Sequence, residues 1–276
     1  MIKEEFWNTK LDSLLRPKFY LYEIPKFQCP HCNLGLLITD SNKFISESTE
    51  ESLKYFNIIG EIEGWRKHFT TIVRCNNPDC REITTISGLS NVVQTGWEEE
   101  EYDYELKETF PHTPTYGDAY DIKYVNPCIR LINIPQDIDS NIERTLNKSF
   151  SLFWNDEDAC ANKIRITIEQ LLNFHNVATT IIIKEEKVVH LTLHERIKIF
   201  SKNNSKLQNL LLAVKWVGNE GSHFDQLSLE RQDLVNAYKI IDLIFRDFFD
   251  TTRTEIHQLA QSININRGSK VKKSKI

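Results

Sequence analysis

The chain has no uninterrupted apolar run of about 18 residues, which removes a membrane-spanning helix from the elements to expect. It also lacks a basic, apolar-led opening. MIKEEFWNTK mixes acids into the positions a secretory leader needs, so a cytoplasmic protein is expected. Cysteines number only 6 in 276 residues, too few to staple the fold with disulfides, so the thiols are expected as metal ligands or core residues in a reducing compartment. Positive charge is not in excess either. A formal net charge of −5 argues against nucleic-acid binding over the whole surface. No repeat of fixed period recurs, which excludes solenoids and propellers.

What is present is an ordinary globular composition, 40% hydrophobic and 26% charged, over a length that accommodates two domains. From Phe19 to about Ile134 the texture is that of strands: FYLYEI, LGLLIT, FTTIVRC, REITTIS, IKYV and IRLINI are short β-branched or aromatic runs separated by Pro, Gly and Asn. One helical excursion is expected at Thr49 to Ile59. Near Pro135 the period changes. Asp139 or Ser140 can cap a helix through Ile142, Leu146, Phe150 and Phe153. Asn155 or Asp156 can cap a second, with Ala161, Ile164, Ile168, Leu171 and Leu172 on its core side. A small hairpin around KEEK interrupts before helices resume in LHERIKIF, KLQNLLLAVKWV and Leu229 to Phe249. The fold class expected is α+β: a β-rich, zinc-ribbon-like domain over 1–134, a helical bundle over 135–266 and a basic, disordered tail over 267–276. The acidic run at Glu98 to Glu108 and the basic tail read first as solvated segments.

Four of the cysteines form two close pairs. Cys29-Pro30-His31-Cys32 is followed by Asn33, Leu34 and Gly35, a tight turn of the kind that wraps a metal with thiolates. The wider pair, Cys75 and Cys80, encloses Asn, Pro and Asp, which supply the return. Both pairs end strand-like runs. Together they predict a structural Zn²⁺ site with four thiolates and no open position, His31 or His68 being the substitutes if one cysteine does not bind. Cys128 and Cys160 stand alone and read as packing. In the helical half, KWVGNEGSHF places Lys215, Asn219 and His223 at four-residue steps, on one face if the helix continues. A cation, an amide and an imidazole so placed can hold a phosphate and move a proton. The plain alternative is a helix C-cap at Gly218 or Gly221 beside a satisfied histidine.

INIPQDIDSNIERTLNKSF, ACANKIRITIEQLL and the leucine-rich helix ending in VGNEGSH resemble a HEPN-like family found alone or appended to restriction and phage-defence proteins, over about Leu131 to Phe249. The specific matches are Arg165 with Glu169, and Gly218, Asn219 and His223. Similar chains often carry a zinc ribbon in front. The resemblance implies a dimerising bundle and, in ribonuclease members, an arginine four to six residues before the histidine. Here that arginine would fall on Trp216, Val217 or Gly218, none of them basic, and Lys215 lies one position too far. Two readings follow. One is a non-catalytic, homodimeric module of bacterial defence that binds nucleic acid, RNA or DNA, or a partner protein. The other is a metal-independent RNA endonuclease using His223, Asn219 and Lys215. Arg66, Lys67, Arg74 and Arg81 with Trp65 and Phe69 form a modest basic and aromatic set on the ribbon, as readily solvated surface as a nucleic-acid face.

Overall fold

The computed structural model describes residues 27–62, 64–97, 102–103, 108–109, 114–135, 137–182, 188–220, 229–249 and 259–265. Alternation along the strand-like runs builds the first half. Phe69, Thr71, Val73 and Cys75 point to the interior of β2 (Arg66–Cys75), and Thr84, Ile86, Gly88 and Ser90 do the same on β3 (Ile83–Trp97). With β1 (Leu37–Ser48) and β6 (Pro114–Asn126) they form a four-stranded sheet in the order β1-β2-β3-β6, antiparallel throughout. Two-residue strands β4 (Tyr102–Asp103) and β5 (Glu108–Thr109) pair between β3 and β6. The helical excursion is present as α1 (Glu50–Ile59), capped by Thr49, whose side chain accepts from the Ser52 amide.

Two strand expectations fare differently. FYLYEI lies outside the described residues. IRLINI is not a strand: the chain crosses from sheet to helices in irregular backbone there, with Ile129, Leu131, Ile132 and Ile134 buried. Ile132 and Ile134 stand two apart, as a strand needs, but the run spends its apolar side chains on the junction and finds no ladder. The β-like run REITTIS predicts a third strand that ends at Ser87. In the structure β3 runs ten residues further, to Trp97. SNVVQTGW extends the strand because it pairs with β6 from Asn91↔Ala119 to Trp97↔Pro114, with one register shift between Gln94 and Gly96.

The helices follow their caps. Asp139 accepts from the Asn141 amide at 2.8 Å and starts α2 (Ser140–Leu152), and Asp156 accepts from Ala159 at 2.8 Å and starts α3 (Glu157–Phe174). The expected hairpin is β7 (Thr180–Ile182) with β8 (Val188–His190). Thr192 and Glu195 then form a capping box at α4 (Leu193–Phe200), and α5 (Ser205–Glu220) and α6 (Arg231–Phe249) complete the set. Helix α3 is the centre, packed on α2, α4, α5 and α6. Its Cys160 thiol lies 3.2 Å from the Tyr238 hydroxyl, which donates to Ser149 Oγ at 2.9 Å, so these three buried polar groups satisfy one another. No helix among the described residues is long and apolar enough to cross a membrane.

Sheet and helices share one continuous core. Phe27, two residues before the first knuckle cysteine, meets Trp154 edge-to-face at 5.9 Å. Beside this contact Arg231, the first residue of α6, reaches Asp121 of β6 at 3.3 Å, the Trp154 carbonyl at 3.3 Å and Glu157 of α3 at 3.5 Å.

Candidate metal centre

The two cysteine pairs meet at one end of the sheet because each closes a hairpin. Gln28 bridges Leu36, and the Cys29 amide donates to the Gly35 carbonyl at 2.8 Å. Across from it the Cys75 amide donates to Glu82 at 2.8 Å. The hairpins are laced together: the Leu36 amide donates to Asn76 Oδ1 at 2.8 Å, and the Asn76 amide donates back to the Leu36 carbonyl at 2.9 Å. The residue after each second cysteine is left-handed, Asn33 at φ 54° and Arg81 at φ 56°, which turns the chain away once the sulfur has been presented. Gly35 is dictated by close approach. A Cβ there would stand 2.4 Å from Cys75 Sγ and 2.8 Å from Asn77 Cβ.

The result is four sulfurs all within 4.8 Å of one another, Cys29 to Cys80 at 3.8 Å and Cys32 to Cys75 at 3.7 Å. A tetrahedral ion with sulfurs at the zinc–thiolate distance of about 2.3 Å sets an edge of about 3.8 Å, so the four sulfurs fit one metal ion. Their surroundings favour the thiolate at one sulfur and oppose it at two. Amides of Gly35 and Leu34 turned toward Cys32 pull its thiol down to about 6, the Gly35 amide at 3.4 Å. Burial pushes the Cys75 thiol up. The Glu82 amide draws Cys80 down, yet burial and the other three sulfurs leave it at about 12. Four thiolates therefore require a cation among them. His31 Nδ1 stands 3.7 Å from Cys80 Sγ, beside the cluster, and His68 lies on the outer side of β2 opposite Glu47, so neither is needed as a ligand.

The helical candidates divide. Helix α5 continues through Gly218 to Glu220, so Gly218 is no C-cap and Lys215 and Asn219 do share a face; His223 lies outside the described residues. Gly218 marks a helix crossing, since a Cβ there would be 2.3 Å from Arg165 Cβ and 3.0 Å from the Ala161 carbonyl. Lys215 is buried, with Nζ 3.4 Å from the centre of the Trp216 ring, and burial together with the Arg165 guanidinium holds its ammonium below the ordinary range. Arg165 pairs with Glu169 at 2.9 Å, the i,i+4 pair expected. Cys160 is core, its thiol raised to about 12 by burial.

Arg196 has a structural role that its place in the sequence does not signal. Buried under the end of α3, it donates to Asn173 Oδ1 at 2.6 Å and to the Val177 and Ala178 carbonyls at 3.0 and 3.2 Å, tying the turn after that helix to α4. A lone arginine in LHERIKIF looks like any solvated helix residue. The basic and aromatic set of the ribbon breaks up: Phe69 is buried, Trp65 packs on Phe56, and Lys67 is paired with Asp118 at 2.9 Å, leaving Arg66, Arg74 and Arg81 exposed.

Among known proteins, no curated protein and no solved structure matches the chain. Two family models do. Residues 17–116 match the one described as Domain of unknown function (DUF8608), and residues 147–266 match the one described as Domain of unknown function (DUF4145), so the metal ligands fall in the first match and Lys215, Asn219 and His223 in the second.

Proposed function

We propose that the chain is a non-catalytic interaction module of bacterial defence, a zinc ribbon that presents a binding face joined to a HEPN-like bundle that forms a homodimer. The observation that carries this reading is the closure of the four-sulfur site. An ion held by Cys29, Cys32, Cys75 and Cys80 has no position left for water or substrate, the arrangement of a scaffold. Zinc suits four thiolates in a tetrahedron, and metal analysis separates it from iron, the other ion that such a donor set accepts. A partner protein is the better-supported ligand. Three exposed arginines offer little counterion release, whereas Ile45, Ile83 and Tyr124 stand exposed on the outward side of the sheet, 60%, 42% and 60% accessible.

The test is purified, zinc-loaded protein titrated with single- and double-stranded RNA and DNA at two salt concentrations, alongside its molar mass in solution. A homodimer that neither cleaves nor binds nucleic acid tightly is expected. Tight binding that falls steeply with salt moves the ligand to nucleic acid, and RNA cleavage abolished by His223→Ala overturns the non-catalytic reading.

One observation favours the second reading, a metal-independent RNA endonuclease. Arg165 and Lys215, like charges on crossing helices, lie close enough to perturb one another on the face that also carries Asn219. With Arg165 paired to Glu169 the group keeps a net charge of +1, which can draw a phosphate. Growth arrest on expression, relieved by Lys215→Ala and by His223→Ala, is its expected signature.

A further inference from the structure

A cavity of about 420 Å³ opens on the outward face of the sheet, with the metal ligand Cys75 in its wall. Its floor is aliphatic. Ile38, Arg74 and Ile83 form one row across β1, β2 and β3, and Ile72 lies two residues along β2 on the same face. Its rim is cationic: Lys43, Arg74 and Arg81 line it, against a single acid, Asp40. No ion pair to an acid among the described residues neutralises any of the three cations.

A defect in the sheet makes the mouth. The β1–β2 ladder breaks between Thr39 and Phe44, whose partners are Val73 and Thr71, so four residues of β1 stand opposite Ile72 alone. A bulge of this size lifts Asp40 and Lys43 off the sheet and leaves the isoleucines below them uncovered. Arg74 is held at the edge, with Nη1 donating to the Arg81 carbonyl at 2.8 Å, and the rest of its fork is open to a planar anion.

We infer that this cavity binds an aliphatic carboxylate, the isoleucine floor taking the apolar chain and Arg74, Arg81 and Lys43 taking the charge. Three cations against Asp40 give the rim a net +2, and the free edge of the Arg74 fork matches the two coplanar oxygens of a carboxylate. The aliphatic floor has no ring on which a nucleobase can stack. Two sources share this chemistry: a free short-chain acid, and the carboxy-terminal Leu, Ile or Val of another polypeptide. The second deepens the partner-protein reading and rests on it; the first does not.

The experiment is calorimetric titration of the full, metal-loaded chain with butyrate, hexanoate and octanoate, with hexanol as the uncharged control. A short peptide ending in Leu with a free carboxylate is compared with its amide. Carboxylate affinity is expected to rise about fourfold per added methylene until the cavity is full, and hexanol to bind at least tenfold more weakly than hexanoate. Arg81→Gly is the safe variant, because Arg81 already has the left-handed φ that glycine tolerates best, and it should cost at least fivefold with metal content unchanged. Ile83→Glu, at a position already 42% exposed, should abolish binding by putting a charge on the floor. Peptide acid binding more tightly than hexanoate, with its amide silent, assigns a polypeptide terminus; the reverse order assigns a free acid. Hexanol equal to hexanoate, affinity independent of chain length, or no binding of any carboxylate at millimolar concentration overturns the inference. In that last case a closed metal site and an intact dimer leave the interaction-module reading standing.

Discussion

Gly218→Ala is a substitution for which two principles give opposite signs, so the sign of the measured change decides between them. Within a helix interior, Ala is favoured over Gly by about 1 kcal/mol, and by that rule alone the variant is more stable. At this crossing of α5 on α3, however, the added Cβ stands 2.3 Å from Arg165 Cβ and 3.0 Å from the Ala161 carbonyl. Neither is the end of a flexible side chain. The helices must separate by roughly an ångström, and overpacking of a core costs about 1–3 kcal/mol. The net expectation is a loss of about 1 kcal/mol, read as a lower urea midpoint with unchanged slope. Arg165→Gly removes the atom that is struck, so the double variant should be more stable than the sum of the single losses allows. A raised midpoint in Gly218→Ala would show that the helices do not cross at Gly218 and that Lys215 and Arg165 are not neighbours.

Metal analysis of the purified chain should find one zinc ion per chain, and Cys29→Ser or Cys80→Ser should lose it; a loaded Cys80→Ser protein would show that His31 can serve. Because Cys75 is pushed up and Cys80 sits near 12, metal loading near neutral pH must expel at least two protons, so the apparent affinity should fall by at least about 100-fold per unit as pH drops toward 6. Below about 6 Cys32 adds a further proton and the fall steepens, and a competing chelator titrated at several pH values gives the slope. Arg231→Ala should destabilise the whole chain by about 1–2 kcal/mol, mostly through the lost bond to the Trp154 carbonyl, since its carboxylate partners are partly exposed and screened. His175 packs between Phe200 and Phe248, and burial holds its imidazole below the usual value of 6.5, so the folded state prefers it neutral. Its contribution is present above the unfolded pKa and lost as pH falls through it, and thermal midpoints at pH 7.5 and 5.5 should lie closer together in His175→Phe than in the parent.

How much of this can be read from the residues depends on the range of the force concerned. Caps are local, so Thr49, Asp139 and Asp156 announce their helices. The apolar stripe of α3 and the KEEK hairpin are legible for the same reason. The clustering of the four cysteines is legible because the chemistry of thiolates restricts their spacing more tightly than packing restricts anything else. IRLINI misleads because β-branched residues are chosen equally by a ladder and by an irregular buried crossing, and only the tertiary partner decides. The far half of β3 is hidden for the opposite reason: its side chains are polar, and pairing with β6 supplies what composition withholds. Gly218 offers two roles, cap or crossing, and nothing within α5 distinguishes them; the deciding atom is Arg165 Cβ on another helix. The outward cavity has no sequence signal at all, since it exists only because β1 bulges against β2.

The metal centre is more than a local staple, because of where Phe27 lies. Its carbonyl accepts from the Leu37 amide at 2.7 Å, the next rung of the hairpin that holds Cys29 and Cys32, and its ring is fully buried against Trp154. Trp154 in turn packs on Phe153, whose ring meets Tyr238 at the centre of the helical core. An ion that fixes the first knuckle therefore fixes the ring that plugs the junction. Loss of the ion leaves that hairpin held by backbone bonds alone, Cys29 to Gly35 and Leu37 to Phe27, and by the paired bonds of Leu36 and Asn76. The helices keep their own caps and their own core, so they should remain helical when the metal is removed. What weakens is the seating of the plug, so the junction of the sheet with α2 and α6 should open more readily in the metal-free chain than in the loaded one.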